Sequence, residues 1–380
     1  MKRTAVIRAF ANGGEAVGNL EDGKTVFVRG AVPGETVEVE ILQEKQRYSR
    51  ARLVSVIQSS GCRIASDCPH FPACPGCSYR HVPYQTELEW KQKQLEYMAR
   101  DYPDIKFNPP VGAKSRNHWR NKLTLHISNG VCGLISDDNY TVTPVKSCLL
   151  AVPEINELIR HADLSKNFRP TWRYTRQDGA MLLKESKDSR VLTEELENHG
   201  TFKVNADAFF QTNNAMADKL VSRTVELVKA SGKKRLYELY CGVGVFSAAC
   251  LEKIPYLEAE AVEITASSII RARTNAAMRG VSGRCRFFAG DAGKFFEKCS
   301  PEKGKFLLLT DPPRTGMDKT AINSIKKHLP EKIIYISCAA DTLVRDIRAL
   351  SEHYRPVEMT VFDMFPGTAH FEVLTVLELI

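Results

Sequence analysis

The chain has 380 residues, and at roughly 100 to 200 residues per domain that length calls for two or three domains. With 43% hydrophobic and 26% charged residues it can bury full cores, which excludes the disordered and fibrous classes. The net charge of +8 is spread thinly and allows a polyanionic partner without demonstrating one. Apolar runs such as Phe306–Leu309 and Ile333–Ile336 fall far short of the ~20 residues that a membrane-spanning helix needs. The Met-Lys-Arg start lacks a secretory leader's apolar core, so a cytoplasmic protein is expected. In that compartment the eleven cysteines read as ligands, nucleophiles or core residues, not disulfides.

Residues 1–58 alternate apolar and polar at period two in Val26–Val28, Val37–Ile41 and Arg52–Ile57, with glycine and proline turns between them, which predicts a small antiparallel β-barrel. Its segment Lys45–Arg52 interleaves four cations with Tyr48, a pattern suited to single-stranded nucleic acid or else to a solvated charged hairpin. From Gly61 to about Tyr84 cysteine, proline and glycine dominate. Glu87–Arg100 then reads as a helix through Leu88, Lys91, Leu95 and Met98, and helix 85–100 is expected to pack on the catalytic domain. Residues 105–208 look mixed and largely β, and Lys114–Lys122 repeats the basic-plus-aromatic pattern with Arg120 and Lys122 as RNA candidates. Beyond 215 the period changes. Strands Leu236–Tyr240, Ala259–Val262, Phe306–Thr310 and Ile333–Ser337 alternate with helices Ala215–Lys229, Ser267–Met278, Lys319–His328 and Asp341–Ser351, the signature of a doubly wound parallel sheet. The expected units are 1–58, 59–205 and 206–380.

Leu236-Tyr-Glu-Leu-Tyr-Cys-Gly-Val-Gly-Val-Phe246 runs an apolar strand into Gly242 and Gly244 and then a helix, which lets the backbone approach a ligand at the strand's carboxyl end. Glu263 closes the next strand about twenty residues on, where an acid can hold both ribose hydroxyls. Asp291 and Asp311 end the following strands, so acids collect along one edge as in a nucleoside pocket. Lacking the third glycine of dinucleotide sites, the pattern resembles S-adenosylmethionine-dependent methyltransferases. Arg314 stands where exocyclic-amine methyltransferases place an aromatic residue after the two prolines, which disfavours that substrate.

Cys338 sits where an apolar strand stops and a helix starts, so its thiol is expected to be a nucleophile of lowered pKa. His370 and Glu372 alternate at the entry of the strand Val373–Leu379 and are expected to face one way. The segments Asp207–Asn213, Leu239–Gly244, Thr310–Gly316, Tyr335–Cys338 and Phe365–Glu372, in that order, resemble the RNA uracil-5-methyltransferase family, and the first 58 residues resemble its TRAM domain. The resemblance implies an α/β fold: a Rossmann-like methyltransferase domain, an OB-like barrel and a mainly β central domain. It implies that Cys338 adds to uracil C6 and that Glu372 removes the C5 proton. Gln211, Tyr240, Gly242, Gly244, Glu263, Asp291 and Asp311 would bind S-adenosylmethionine, with Phe209, Arg314 and His370 near the base or RNA. Ala339-Ala340 replaces the family's Asn-Pro after the nucleophile.

Cys68, Cys74 and Cys77, with Cys148 as a distant fourth, can bind zinc or an iron–sulfur cluster. The resemblance points to a [4Fe–4S] cluster, with Cys62 as a spare, and Cys132, Cys241, Cys250, Cys285 and Cys299 as packing residues. The leading expectation is a monomeric, non-membrane methyltransferase of 23S ribosomal RNA. A transfer-RNA T-loop enzyme and an RNA-binding iron–sulfur protein with impaired catalysis are the alternatives; bacterial transfer-RNA members often lack both barrel and cluster.

Overall fold

In a computed structural model, residues 2–136, 140–184 and 188–380 are described. Strands β1 (Lys2–Phe10), β2 (Ala16–Leu20), β3 (Thr25–Arg29), β4 (Thr36–Glu44) and β5 (Tyr48–Gln58) close a barrel in the order β1-β2-β3-β5-β4. Alternate residues such as Val26, Val28, Val37 and Val39 fill it, as the period-two pattern requires. Gly18 is obligatory at the β1–β2 crossing, because a Cβ there would lie 2.1 Å from the Val6 carbonyl oxygen. One barrel pair, β3 with β5, is parallel, against the all-antiparallel expectation, because β4 intervenes between them in sequence and pairs on the far side of β5.

Helix α1 (Tyr84–Met98) leads to a two-residue strand β6 (Lys106–Phe107). The central region then folds as small sheets: β7 (Lys122–Thr124), β8 (His126–Ser128), β9 (Val131–Ile135), β10 (Val142–Pro144), helix α2 (Pro153–Arg160), β11 (Thr171–Thr175), β12 (Gly179–Leu182) and the hairpin β13 (Val191–Leu196) to β14 (Gly200–Asn205). Leu123, Leu125, Ile155, Ile159 and Trp172 form its own core.

The remainder is helix α3 (Asn214–Ala230), β15 (Arg235–Leu239), α4 (Val245–Lys253), β16 (Glu258–Glu263), α5 (Ala266–Met278), β17 (Cys285–Ala289), α6 (Phe295–Cys299), β18 (Leu307–Thr310), α7 (Lys319–His328), β19 (Lys332–Ser337), α8 (Ala340–Leu350), β20 (Tyr354–Phe362) and β21 (Glu372–Leu379). They build a sheet in the order β17-β16-β15-β18-β19-β21-β20-β6. Successive apolar side chains split between its two faces. Leu307, Leu309 and Ile334 pack with Met216, Leu220, Ala248 and Ile269 on one side, and Leu308 and Ile333 with Leu95, Phe295, Ile325 and Leu343 on the other. Each such buried side chain contributes on the order of 1.5–3 kcal/mol, so both faces need helices and the strands read as unbroken apolar runs.

The sheet is mixed, not all parallel: β21 runs antiparallel to both β19 and β20. The reason is its short connection from β20, since only an antiparallel neighbour can be reached without a crossover. Leu95 and Ala99 of the α1 region pack into the second face, so the predicted helix docks on this sheet as expected.

Candidate active site at the carboxyl edge of the mixed sheet

Strand order reverses at β15, whose neighbours are β16 on one side and β18 on the other, and an open α/β sheet binds ligands outside the carboxyl ends of its strands at such a point. The turn after β15 is tight, with left-handed φ at Tyr240 (61°), Gly242 (53°) and Gly244 (76°). A Cβ at Gly244 would meet the Phe287 ring at 3.0 Å and Ala272 at 3.1 Å, whereas one at Gly242 would meet nothing within 4 Å. Gly244 is therefore a packing glycine at the N-cap of α4, and Gly242 is the one that opens the backbone to a ligand. Glu263 is oriented by two backbone donors, the N–H of Gly242 (3.2 Å) and of Thr265 (2.8 Å).

A cavity with about 540 Å³ of space between atoms, open at its mouth, lies on this turn, and Gln211, Tyr240, Gly242, Asp311 and Phe209 line it. Its apolar wall, Leu196, Phe210, Ala217, Leu220 and Phe246, was not singled out in the sequence, where these residues are indistinguishable from core. Asp291 is exposed and caps a single helical turn through the Lys294 N–H at 3.2 Å. It acts on the Tyr240 hydroxyl, whose ionisation burial, Asp318 and Asp291 all oppose. Behind the turn, buried Glu238 accepts from the Ser247 N–H and hydroxyl, and burial pushes its carboxyl up to about 8; nothing in the sequence marked it.

The β19–β21 ladder pairs Ser337 with Val373, so the next residues outward, Cys338 and Glu372, stand opposite each other at the same edge. Glu372 is 3% exposed, and its Oε2 is buried without a hydrogen-bond partner. Burial and then Asp311 raise its carboxyl well above the usual carboxylate range, with Arg314 opposing. Burial also raises Asp311 to about 7.

The Cys338 thiol is pushed up to about 11 by burial, Glu372 and Asp311, with Arg314 pulling the other way. The expected lowered pKa is therefore corrected. Cys338 precedes the N-cap residue Ala339 of α8, which puts it outside the helix's first turn, and two carboxyls face it. The turn after it closes without the usual Asn-Pro: the Ser337 hydroxyl accepts from the Ala339 N–H at 3.2 Å, and the Thr342 hydroxyl donates to the Ala339 and Arg314 carbonyls at 3.0 and 3.1 Å.

His370 does not share Glu372's environment. It lies before β21 with its surface open, packed edge-on to Phe365 at 6.3 Å, and desolvation with Arg314, Lys91 and Arg120 pushes it down to about 4. The period-two expectation fails there because the strand begins only at Glu372.

The loop from Asp363 to Phe371, which delivers Glu372, is anchored by groups that sequence spacing could not pair. Fully buried Lys91 of α1 donates to Glu87 and Asp363 at 2.7 Å each, Tyr84 donates to Asp363 at 2.8 Å, and the Gly367 N–H donates to Glu87 at 2.7 Å. The Gly367 carbonyl accepts from the Ser78 and Tyr79 N–H groups at 2.9 and 3.1 Å.

Ser78 and Tyr79 follow the cysteine-rich loop. Among the described residues no group of three or more His, Cys, Asp or Glu side chains is placed to hold a single metal ion. The thiols nonetheless share one neighbourhood, Cys74 interacting with Cys148 and Cys68, and Cys77 with Cys148 and Cys74; burial raises Cys77 to about 12. Two arginines adjoin them, buried Arg80 beside Cys77 and half-buried Arg120 facing Cys148, Cys77 and Cys74, and the Nε atoms of both are buried without partners. Cys62 is exposed.

Part of each basic-plus-aromatic segment is taken up by contacts within the chain. In the barrel hairpin Arg50 pairs with Glu15 at 2.6 Å, Arg52 pairs with Glu40, and Tyr48 packs on Phe27 at 5.6 Å. In the second segment Arg116 pairs with Glu87 at 2.9 Å, Trp119 is buried and Arg120 stacks on it at 5.0 Å. Lys122 stands apart from these on β7, and Phe209 is 73% exposed at the cavity rim.

A model of the tRNA (uracil-5-)-methyltransferase family matches residues 183–284 and 305–379, and a TRAM-domain model matches residues 3–54. The chain belongs to this methyltransferase family. RNA methyltransferases of Thermotoga maritima and Caldanaerobacter subterraneus are each 26% identical to it, covering 98% of this chain and 98% and 97% of their own. The Pyrococcus abyssi tRNA (uracil-54, C5)-methyltransferase, solved with S-adenosyl-L-homocysteine, superposes with a TM-score of 0.77 at 21% identity over 99% of both chains. The fold of this RNA methyltransferase, barrel included, is thus that of a solved uracil methyltransferase. No helix among the described residues is long and apolar enough to cross a membrane.

Proposed function

We propose that this enzyme transfers the methyl group of S-adenosylmethionine to C5 of one uridine in RNA, with 23S ribosomal RNA as the first target. The observation that carries the reading is the register setting Cys338 opposite Glu372 beside the Asp311 end of the cavity. Gln211, Tyr240, Gly242, Glu263, Asp291 and Asp311 would hold the cofactor, with Gly244 shaping the turn. The cofactor supplies an electrophilic methyl group on a cationic sulfur. Its positive charge near Asp311 favours the ionised forms of Asp311, Glu372 and Cys338 together.

The Cys338 thiolate would form a bond to C6 of uracil, and the C5–C6 π pair moves to an enolate whose C5 takes the methyl group, the methyl–sulfur bond breaking with its electron pair left on sulfur to give neutral S-adenosylhomocysteine. Glu372 then removes the C5 proton, and the sulfur–C6 bond breaks with its electron pair returning to Cys338. Arg314 and Phe209 line the approach to this edge, where an extruded base must enter because a stacked one cannot be reached.

Cys68, Cys74, Cys77 and Cys148 are proposed to hold a [4Fe–4S] cluster. Thiols that interact without closing on one ion suit a multinuclear group, and Arg80 and Arg120 suit its negative charge. When bound, it ties the loop before α1 to the segment before α2 and supplies cohesion. The proposed units are residues 1–58, 59–205 and 206–380, in a cytoplasmic monomer.

Transfer RNA is the second reading, because a solved protein bearing that activity in its name shares the whole fold, barrel included. Protein purified without oxygen should transfer labelled methyl to unmodified 23S ribosomal RNA. Transfer to transfer RNA alone selects the second reading, and transfer to neither contradicts both.

A further inference from the structure

A second concavity, with about 930 Å³ of space between atoms, opens on the central region and is lined by Lys122, Thr124, Arg169, Thr171, Leu183, Lys184 and Asp207. The β7–β11 ladder builds its floor, pairing Thr124 with Thr171 and Lys122 with Arg173 on one face. The two threonine hydroxyls hydrogen-bond each other at 2.8 Å. Arg169 and Lys184 are exposed, Lys122 is half-buried, and none of the three side chains has an ion pair or hydrogen bond among the described residues. Arg173, Arg176 and Arg190 nearby are instead paired with acids. Lys122 bears the cost of crowding: burial and Arg173 hold its ammonium below the usual range. The groove lining thus sets three cations against one acid, Asp207, with Glu194 behind it also acting on Lys122.

The groove also points somewhere. Arg173 donates to the carbonyls of Ala206 and Ala208 at 2.8 and 3.2 Å, fixing the loop that carries Asp207 at the groove and Phe209 at the rim of the cofactor cavity. Two residues along that loop, the chain passes from the cationic groove to an exposed aromatic ring beside the proposed chemistry.

We propose that this groove binds the phosphodiester backbone of the single-stranded RNA flanking the target uridine, through Lys122, Arg169 and Lys184, and that Phe209 stacks on the base leaving it. The proposal rests on the RNA methyltransferase reading and adds where and through which cations the strand is held. Cations on a backbone contribute affinity and salt dependence without sequence preference, and an exposed ring at the end of such a track is a stacking platform.

The test uses the full-length enzyme, a single-stranded oligonucleotide containing its methylated uridine, and titration at several salt concentrations. Each of Lys122→Ala, Arg169→Ala and Lys184→Ala should weaken RNA binding and reduce the slope of log affinity against log salt by about 0.7, the triple variant by about 2. Lys122→Arg should keep the slope, and S-adenosylhomocysteine affinity should hold throughout, which separates lost RNA contact from misfolding. A triple variant with the unchanged slope and S-adenosylhomocysteine affinity overturns the groove alone. An unaltered enzyme that binds no RNA at any salt overturns the underlying reading, and the groove with it.

Discussion

Burial, Glu372 and Asp311 raise the Cys338 thiol to about 11, so the proposed nucleophile starts from its protonated form. Cys338→Ala should lower methyl transfer by at least about 10³-fold, as removal of a nucleophile does, and should abolish any RNA-linked protein band. Glu372→Gln should slow turnover by roughly 10²- to 10⁴-fold while the adduct accumulates, seen as a band of protein and RNA that survives denaturation.

The same carboxyl has a stability consequence of opposite sign. Its folded pKa lies above the unfolded one, so the folded state holds the proton more tightly and loses stability as pH rises from the unfolded value toward the folded one. Glu372→Gln should therefore raise the melting temperature at pH 7 to 8 and leave it nearly unchanged at pH 4. Asp311, at about 7, sets a matching window for the cofactor. Affinity for the cationic S-adenosylmethionine should rise between pH 6 and 8, and that for the uncharged-sulfur product should rise much less, both by calorimetry. The motifs that single out Cys338 and Glu372 as candidates were legible in the sequence. The pKa directions of these two residues were not, because burial and the Asp311 contact arise only when β18, β19 and β21 meet.

At the scale of elements, the strands and helices of residues 215–380 were legible because apolar runs alternate with helical spacing. The antiparallel insertion of β21 was not, since a strand's direction leaves no mark on its own composition. The role of α1 was half legible. Spacing put Lys91 on the inward face with Leu88 and Leu95, but its partner Asp363 lies 272 residues away. Lys91 and Glu87 are completely buried, so Lys91→Met removes the cation shared by Glu87 and Asp363, leaves Asp363 with only the Tyr84 hydroxyl among the described residues, and should cost about 3–5 kcal/mol in urea unfolding. Lys91→Arg should recover part of the loss. Because that network holds the loop leading to Glu372, the methionine variant should also lose turnover before it loses cofactor affinity.

Across the whole molecule, α1 and the segment after the cysteine loop converge on Gly367, whose N–H donates to Glu87 and whose carbonyl takes the Ser78 and Tyr79 N–H groups. Iron and sulfide should be found with anaerobically purified protein, and Cys74→Ser should lower both the metal content and the melting temperature; zinc alone would contradict the proposed cluster. The net charge read from composition stayed uninformative, because some cations of the two basic segments, Arg50, Arg52 and Arg116, are paired with acids, while Arg169 and Lys184 drew no attention in the sequence. The proposed mechanism stands on Cys338 carrying the uracil. It is tested most directly by mass spectrometry of the Glu372→Gln variant incubated with unmodified target RNA and S-adenosylmethionine, then digested. A peptide containing Cys338 joined to a 5-methyluridine-bearing nucleotide is the predicted result, and methyl transfer that persists in Cys338→Ala with no such adduct would contradict it.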